Sequence, residues 1–129
     1  MLNEGNSNDK PTCADISGAG RSFVIPVLDM SPASEYNILT LLKDLEHMEG
    51  DVIVIFNGLE VADQLKGHPR ITRYAIMKQN IGIARAWNVG LEMAATPTVF
   101  ILHADLHIEQ EAVGALEHAL YSLPGAACV

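Results

Sequence analysis

Short apolar runs rich in β-branched residues alternate with segments of helical period, and this alternation limits the fold more than any other feature of the chain. The runs are "RSFVIPVLDM" (21–30), "DVIVIFNG" (51–58), "ITRYAIM" (71–77) and "TVFIL" (98–102). The first two are apolar through their centres, which is the pattern of strands buried on both faces of a parallel sheet. Between the first two, Ile38, Leu41, Leu42, Leu45 and Met48 recur at helical spacing. Ser31-Pro32 reads as the N-cap and first position of that helix, and Gly50 as its C-terminal cap. "LEVADQLKGHP" holds a short helix. Residues 80–96 form a longer one, with Ala84, Trp87, Leu91 and Ala94 as its stripe and Pro97 ending it. Residues 109–122 form the last, with Val113, Leu116 and Leu120 inward. The spacing predicts an α/β fold: a Rossmann-like parallel sheet of about four strands with helices on both faces.

One domain suffices for this length. Residues 1–20 are polar and glycine-rich, without apolar period, and read as a flexible tail. Residues 21–123 form the domain and 124–129 a short C-terminal tail. No run has the form of a secretory signal or the length of a membrane span, so the expected location is the cytoplasm. Cys13 and Cys128 have neither metal-ligand spacing nor a framework pattern and read as free thiols. A net charge of −8 argues against nucleic acid as a partner.

Sheets of this kind bind ligands beyond the carboxyl ends of their strands. The loops there include Val27–Ser31, Phe56–Glu60, Met77–Gly82 and His103–Ile108, and all carry polar or glycine residues. "FILHADLHIEQ" (100–110) stands out. In an extended segment His103, Asp105 and His107 would point the same way, about 6.6 Å apart, as a set able to hold Zn²⁺ or Mn²⁺. The bland reading makes His107 a solvated residue capping the next helix. Asp44, Glu46, Glu49 and Asp51 read as a solvated acidic face. Trp87, on an apolar stripe, reads as core. Gly90 lies mid-helix, where glycine costs on the order of 1 kcal/mol against alanine, so a packing reason is expected.

"NIGIARAWNVG" (80–90) has the form Asn-x-Gly-x-Ala-x-Ala-x-Asn-x-Gly and is followed by an apolar strand and "HAD" (103–105). With "IPVLD" (25–29) and "FNGL" (56–59), this order of motifs resembles the family-2 glycosyltransferases of GT-A fold. The likeness spans about residues 21–122, the nucleotide-sugar-binding half of that family, and so implies a truncated GT-A-like domain. It implies that Pro26, Val27 and Asp29 line the base and ribose, with Asn57 and Gly58 beside the base. Asn80, Gly82, Arg85 and Asn88 would approach the ribose-diphosphate, and His103 and Ala104 would flank it. Asp105 would hold the Mn²⁺ or Mg²⁺ that carries the diphosphate, with His103 and His107 as further candidate ligands. The implied ligand is a nucleoside-diphosphate sugar and the implied activity glycosyl transfer.

The chain also departs from the family. Phe56 stands where an acid recognises the base, Leu59 where a serine follows, and His103 where the first metal-binding acid stands. No segment matches the acceptor half or its catalytic base, so no catalytic residue is assigned. These departures motivate an alternative: a non-catalytic, degenerate nucleotide-binding or protein-interaction module. A half-domain would also leave apolar surface for a partner to cover, most simply a second copy in a homodimer.

Overall fold

A computed structural model describes residues 20–129. β1 (Arg21–Val27), β2 (Asp51–Phe56), β3 (Arg73–Ile76) and β4 (Thr98–Ile101) form one sheet in the order β3-β2-β1-β4. All three pairings are parallel, with Val24 opposite Ile53 on one side and Ile101 on the other. The helices are α1 (Ile38–Asp44), α2 (Leu59–Leu65), α3 (Ile83–Met93) and α4 (Gln110–Ser122). The α/β Rossmann-like architecture is therefore the one expected from the sequence. Among the described residues no helix is long and apolar enough to cross a membrane. The expected tail, residues 1–19 with Cys13, lies outside the described residues; Cys128 is a free, exposed thiol.

Strand alternation divides the core into two layers. Phe23, Ile25, Val27, Val52, Val54 and Phe56 face α1, α2 and α4. Val24, Ile53 and Ile55 face α3 alone. All five expected residues of the α1 stripe are buried. Its cap is not Ser31-Pro32, however. Asn37 is the N-cap, accepting from Leu39 and Thr40 N–H, while Thr40 Oγ1 accepts from Asn37 N–H in a capping box. Ser31 instead has φ 43° in the loop that precedes it. Gly50 is not the C-terminal cap either, since α1 ends at Asp44. It leads into β2 with φ 132°, and a Cβ there would meet Arg21 Cγ at 2.6 Å. The last carbonyls around α1 are taken by Arg70, whose Nε donates to Leu45 O and whose Nη2 donates to Met48 O and Gly50 O. Burial lowers the Arg70 guanidinium below its ordinary pKa, opposed by the charge of Asp51.

Two helical stripes differ from expectation. On α3 the residues against the sheet are Ala86, Trp87, Gly90, Met93 and Ala94, while Ala84 and Leu91 are exposed. Gly90 is the closest contact: a Cβ there would lie 2.2 Å from Val24 Cγ1. On α4 Val113 is buried as expected, but Leu116 is exposed and Glu117 takes the inward position. Arg21 Nε and Nη2 donate to the two Glu117 oxygens at 2.9 and 2.6 Å, and Arg21 Nη1 donates to Glu49 O at 3.0 Å. That bidentate pair fixes the rotation of α4.

Pro26 breaks the β1–β4 ladder. The bonding groups of Val24 face β4, where Leu102 N–H donates to Val24 O at 3.0 Å. By ladder alternation the next rung would need an N–H at residue 26 donating to Leu102 O, and proline has none. Trp87 Nε1 donates to that carbonyl instead, at 3.2 Å. Leu102 is buried, so Trp87→Phe should leave a buried acceptor unpaired and cost about 1–3 kcal/mol. Urea unfolding measures this. In a Pro26→Ala background the restored N–H should shrink the loss, and equal losses in both backgrounds would refute the substitution of one donor for the other.

Candidate functional site

Because every strand is parallel, the loops 28–37, 57–58, 77–82 and 102–109 share one edge of the sheet. The chain runs from β1 outward to β2 and β3, then returns to β4 on β1's other side. That reversal lies between the loops after β1 and β4, the position where α/β sheets open a crevice. β1–β4 pairing ends at the same position, since Pro26 has no N–H to continue it. On the β2 side of the loop after β1, Leu28–Ser34 and α2 residues Glu60, Val61 and Gln64 bound a cavity of about 440 Å³. Asp29 is exposed in this loop and accepts a hydrogen bond from Ser31 Oγ.

The proposed binding residues divide by burial. Pro26 and Val27 are buried within β1, so their side chains belong to the core, not to a ligand surface. Asn57 is only 5% exposed, and its amide is already engaged. Its Oδ1 accepts from Ile81 N–H at 3.1 Å, its Nδ2 donates to Gly82 O at 3.5 Å, and its backbone N–H donates to Val27 O at 2.7 Å. Asn57 therefore joins the ends of β1 and β2 to the turn that starts α3. Asn80 Oδ1 accepts from Gly82 N–H at 2.9 Å within that turn, and Gly82 has φ 87°, a region that favours glycine. The side chains of Asn80, Arg85 and Asn88 are exposed, as is Gly82, and Gly58 has open space around it. Asn57→Ala should cost about 1–3 kcal/mol by orphaning Ile81 N–H. Amide exchange should accelerate most across residues 80–86, and unchanged exchange there would refute the bracing role.

The segment 103–107 is not extended. Chain pairing stops after Leu102, a turn covers Ala104 and Asp105, and Leu106 N–H donates to His103 O at 3.3 Å. His103, Asp105 and His107 therefore do not share one strand face. His103 and Asp105 are exposed, Ala104 is half-buried, and the His103 ring meets the Trp87 edge at 5.1 Å. His107 is held elsewhere: its Nδ1 lies 2.9 Å from Asp44 Oδ2, and its ring stacks on Tyr36 with centroids 5.4 Å apart. Asp44 Oδ2 also accepts from Ile108 N–H at 3.1 Å. Asp44 is thus no solvated acid; it ties the loop after β4 to α1. Among the described residues no three His, Cys, Asp or Glu side chains gather into a group able to hold a metal. The donor set suits another kind of site. Mg²⁺ and Mn²⁺ bind through one or two carboxylates plus phosphate oxygens and water, and the exposed Asp105 carboxylate can serve in that way.

Sequence reasoning missed Tyr36 and Asp44. Both act through His107, more than sixty positions away, and no local pattern joins them: Tyr36 precedes the N-cap of α1 and Asp44 ends that helix. Phe56, in the place of the family's base-recognising acid, is fully buried and packs edge-on against Tyr74 at 5.8 Å. Leu59 is exposed at the start of α2. No protein-family model matches the chain, and no curated protein matches it.

Proposed function

We propose that this chain is a glycosyltransferase-like domain that binds a nucleoside-diphosphate sugar in the crevice between the loops after β1 and β4, within the cytoplasm. The observation that carries the reading is the coupling of its motifs: buried Asn57 after β2 clamps the Asn80–Gly82 turn that opens α3. The exposed Asp29, Arg85, His103 and Asp105 lie in the loops at that edge of the sheet or in the first turn of α3, where a diphosphate and a ribose could reach them. Asp105, with His103 beside it, would hold the diphosphate-bound Mn²⁺ or Mg²⁺. That ion would supply neutralisation of the leaving diphosphate.

Calorimetric titration with a panel of nucleoside-diphosphate sugars and Mn²⁺ tests the reading. At least one should bind, and Asp105→Ala should raise its Kd at least about tenfold, ~1.4 kcal/mol. Failure of every sugar nucleotide to bind the folded protein ends the proposal. Phe56 supports the second reading, a non-catalytic nucleotide-binding module, because a buried phenylalanine replaces a polar base contact with core. Sugar-nucleotide turnover that disappears in Asp105→Asn would reject that second reading.

A further inference from the structure

We infer that two copies of this chain join edge to edge through β4, in antiparallel register, to make one continuous eight-stranded sheet. This inference stands on the fold and does not depend on the proposed ligand.

β4 is an edge strand, and among the described residues no strand pairs with its outer side. Thr98 and Leu102 donate toward β1, to Gly20 O and Val24 O. By alternation, the N–H and C=O groups of Val99 and Ile101 face outward. An unpaired edge of this kind is a template for another strand. The opposite edge is guarded differently: β3 begins at Arg73, which lies 3.5 Å from Asp51. β4 has no charged residue.

The surroundings fit a neutral, apolar occupant. A groove of about 610 Å³ wraps the β4 edge. Ile101 (47% exposed) and Leu91 (39%) border it, together with Leu106 and Leu116 (41%). The acid that lines it, Glu117, is neutralised by Arg21 at 2.6 Å. A charged peptide gains nothing there. Ala127, Cys128 and Val129 also line the groove, and Glu117 is the one acidic side chain among its lining residues, so a second copy, despite its own net charge of −8, meets no unpaired acidic side chain there.

Register follows from the residues. A two-fold axis at Phe100 places Val99 opposite the partner's Ile101, and Ile101 opposite the partner's Val99. Each is a hydrogen-bonded pair, so the outward groups satisfy one another. The β-branched side chains then pair on one face and the two Phe100 rings on the other. A shift in one direction would set Pro97, which has no N–H, against the partner's Ile101. A shift in the other would need the His103 carbonyl, which already accepts from Leu106 N–H. Such an isologous pairing closes at two copies.

Sedimentation of the full chain from about 1 to about 100 µM should show a monomer–dimer equilibrium. A monomer throughout overturns the inference. Ile101→Lys should give monomer, while Leu39→Lys, an equally exposed leucine on α1, should still dimerise. A dimer that survives Ile101→Lys overturns it. Circular dichroism checks that the variant folds. If it does not, hydrogen exchange of the unmodified chain decides: the Val99 and Ile101 amides should slow about tenfold or more as concentration rises through the same range. Fast exchange in the dimer overturns the edge pairing. Protection independent of concentration does so too, because it assigns the edge to a segment of the same chain.

Discussion

Replacing Glu117 by alanine is expected to cost about 3–5 kcal/mol of stability. The pair it forms with Arg21 is buried, with side-chain exposures of 8% and 10%, and both guanidinium-to-carboxylate bonds are made. Removing one partner leaves an uncompensated charge inside the protein. The cost comes from that stranded charge more than from the lost attraction, and a second variant separates the two. Arg21→Met combined with Glu117→Leu removes both charges and keeps apolar volume, so it should lose far less than the single change. Urea midpoints of the wild-type protein, Glu117→Ala and the double variant measure this. A double variant as unstable as Glu117→Ala would mean that the ion pair itself, and not its imbalance, holds α4 in place.

The second large effect is a reversal of sign. Glycine to alanine in the middle of a helix ordinarily stabilises by about 1 kcal/mol. Gly90→Ala should instead destabilise by about 1–3 kcal/mol, because the new methyl would sit 2.2 Å from Val24 Cγ1. Val24 is fully buried in a central strand, and its β-branched side chain has little rotamer freedom with which to yield. Gly90→Val should be worse. Val24→Ala should relieve the clash, so the two substitutions made together should cost less than their sum. A stabilised Gly90→Ala protein would show that α3 can lift from the sheet freely.

The strands were legible because continuous apolar runs with β-branched residues have few other uses, and the helices between them because Ile38 through Met48 repeat cleanly. What escaped depended on partners distant in sequence. Leu116 looked inward by periodicity, yet Arg21, ninety-six positions away, drew Glu117 into that place. The packing reason expected for Gly90 is there, but its partner, Val24, could not be named without the fold. The Asn37–Thr40 capping box was present in the sequence, but Ser31-Pro32 offered a more familiar signal earlier in the chain. At the candidate site the order of strands and helices identified the edge of the sheet, while burial redistributed the roles. Pro26, Val27 and Asn57 hold the frame, and Asp29, Arg85, His103 and Asp105 remain exposed. His107 pairs with Asp44, a choice no local pattern carries.

Pro26 and Trp87 together set how the loop after β4 can move. Ordinarily, shifting a segment at the end of a strand tears backbone rungs that re-form slowly and in order. Here the last anchorage of Leu102 beyond Val24 is a side chain. A rotation of one indole releases it and leaves every rung of the sheet intact. The loop carrying His103 and Asp105 is thus held at its start by the Trp87 indole and at its end by the Asp44 carboxylate, so both anchorages are side chains and not rungs of the sheet.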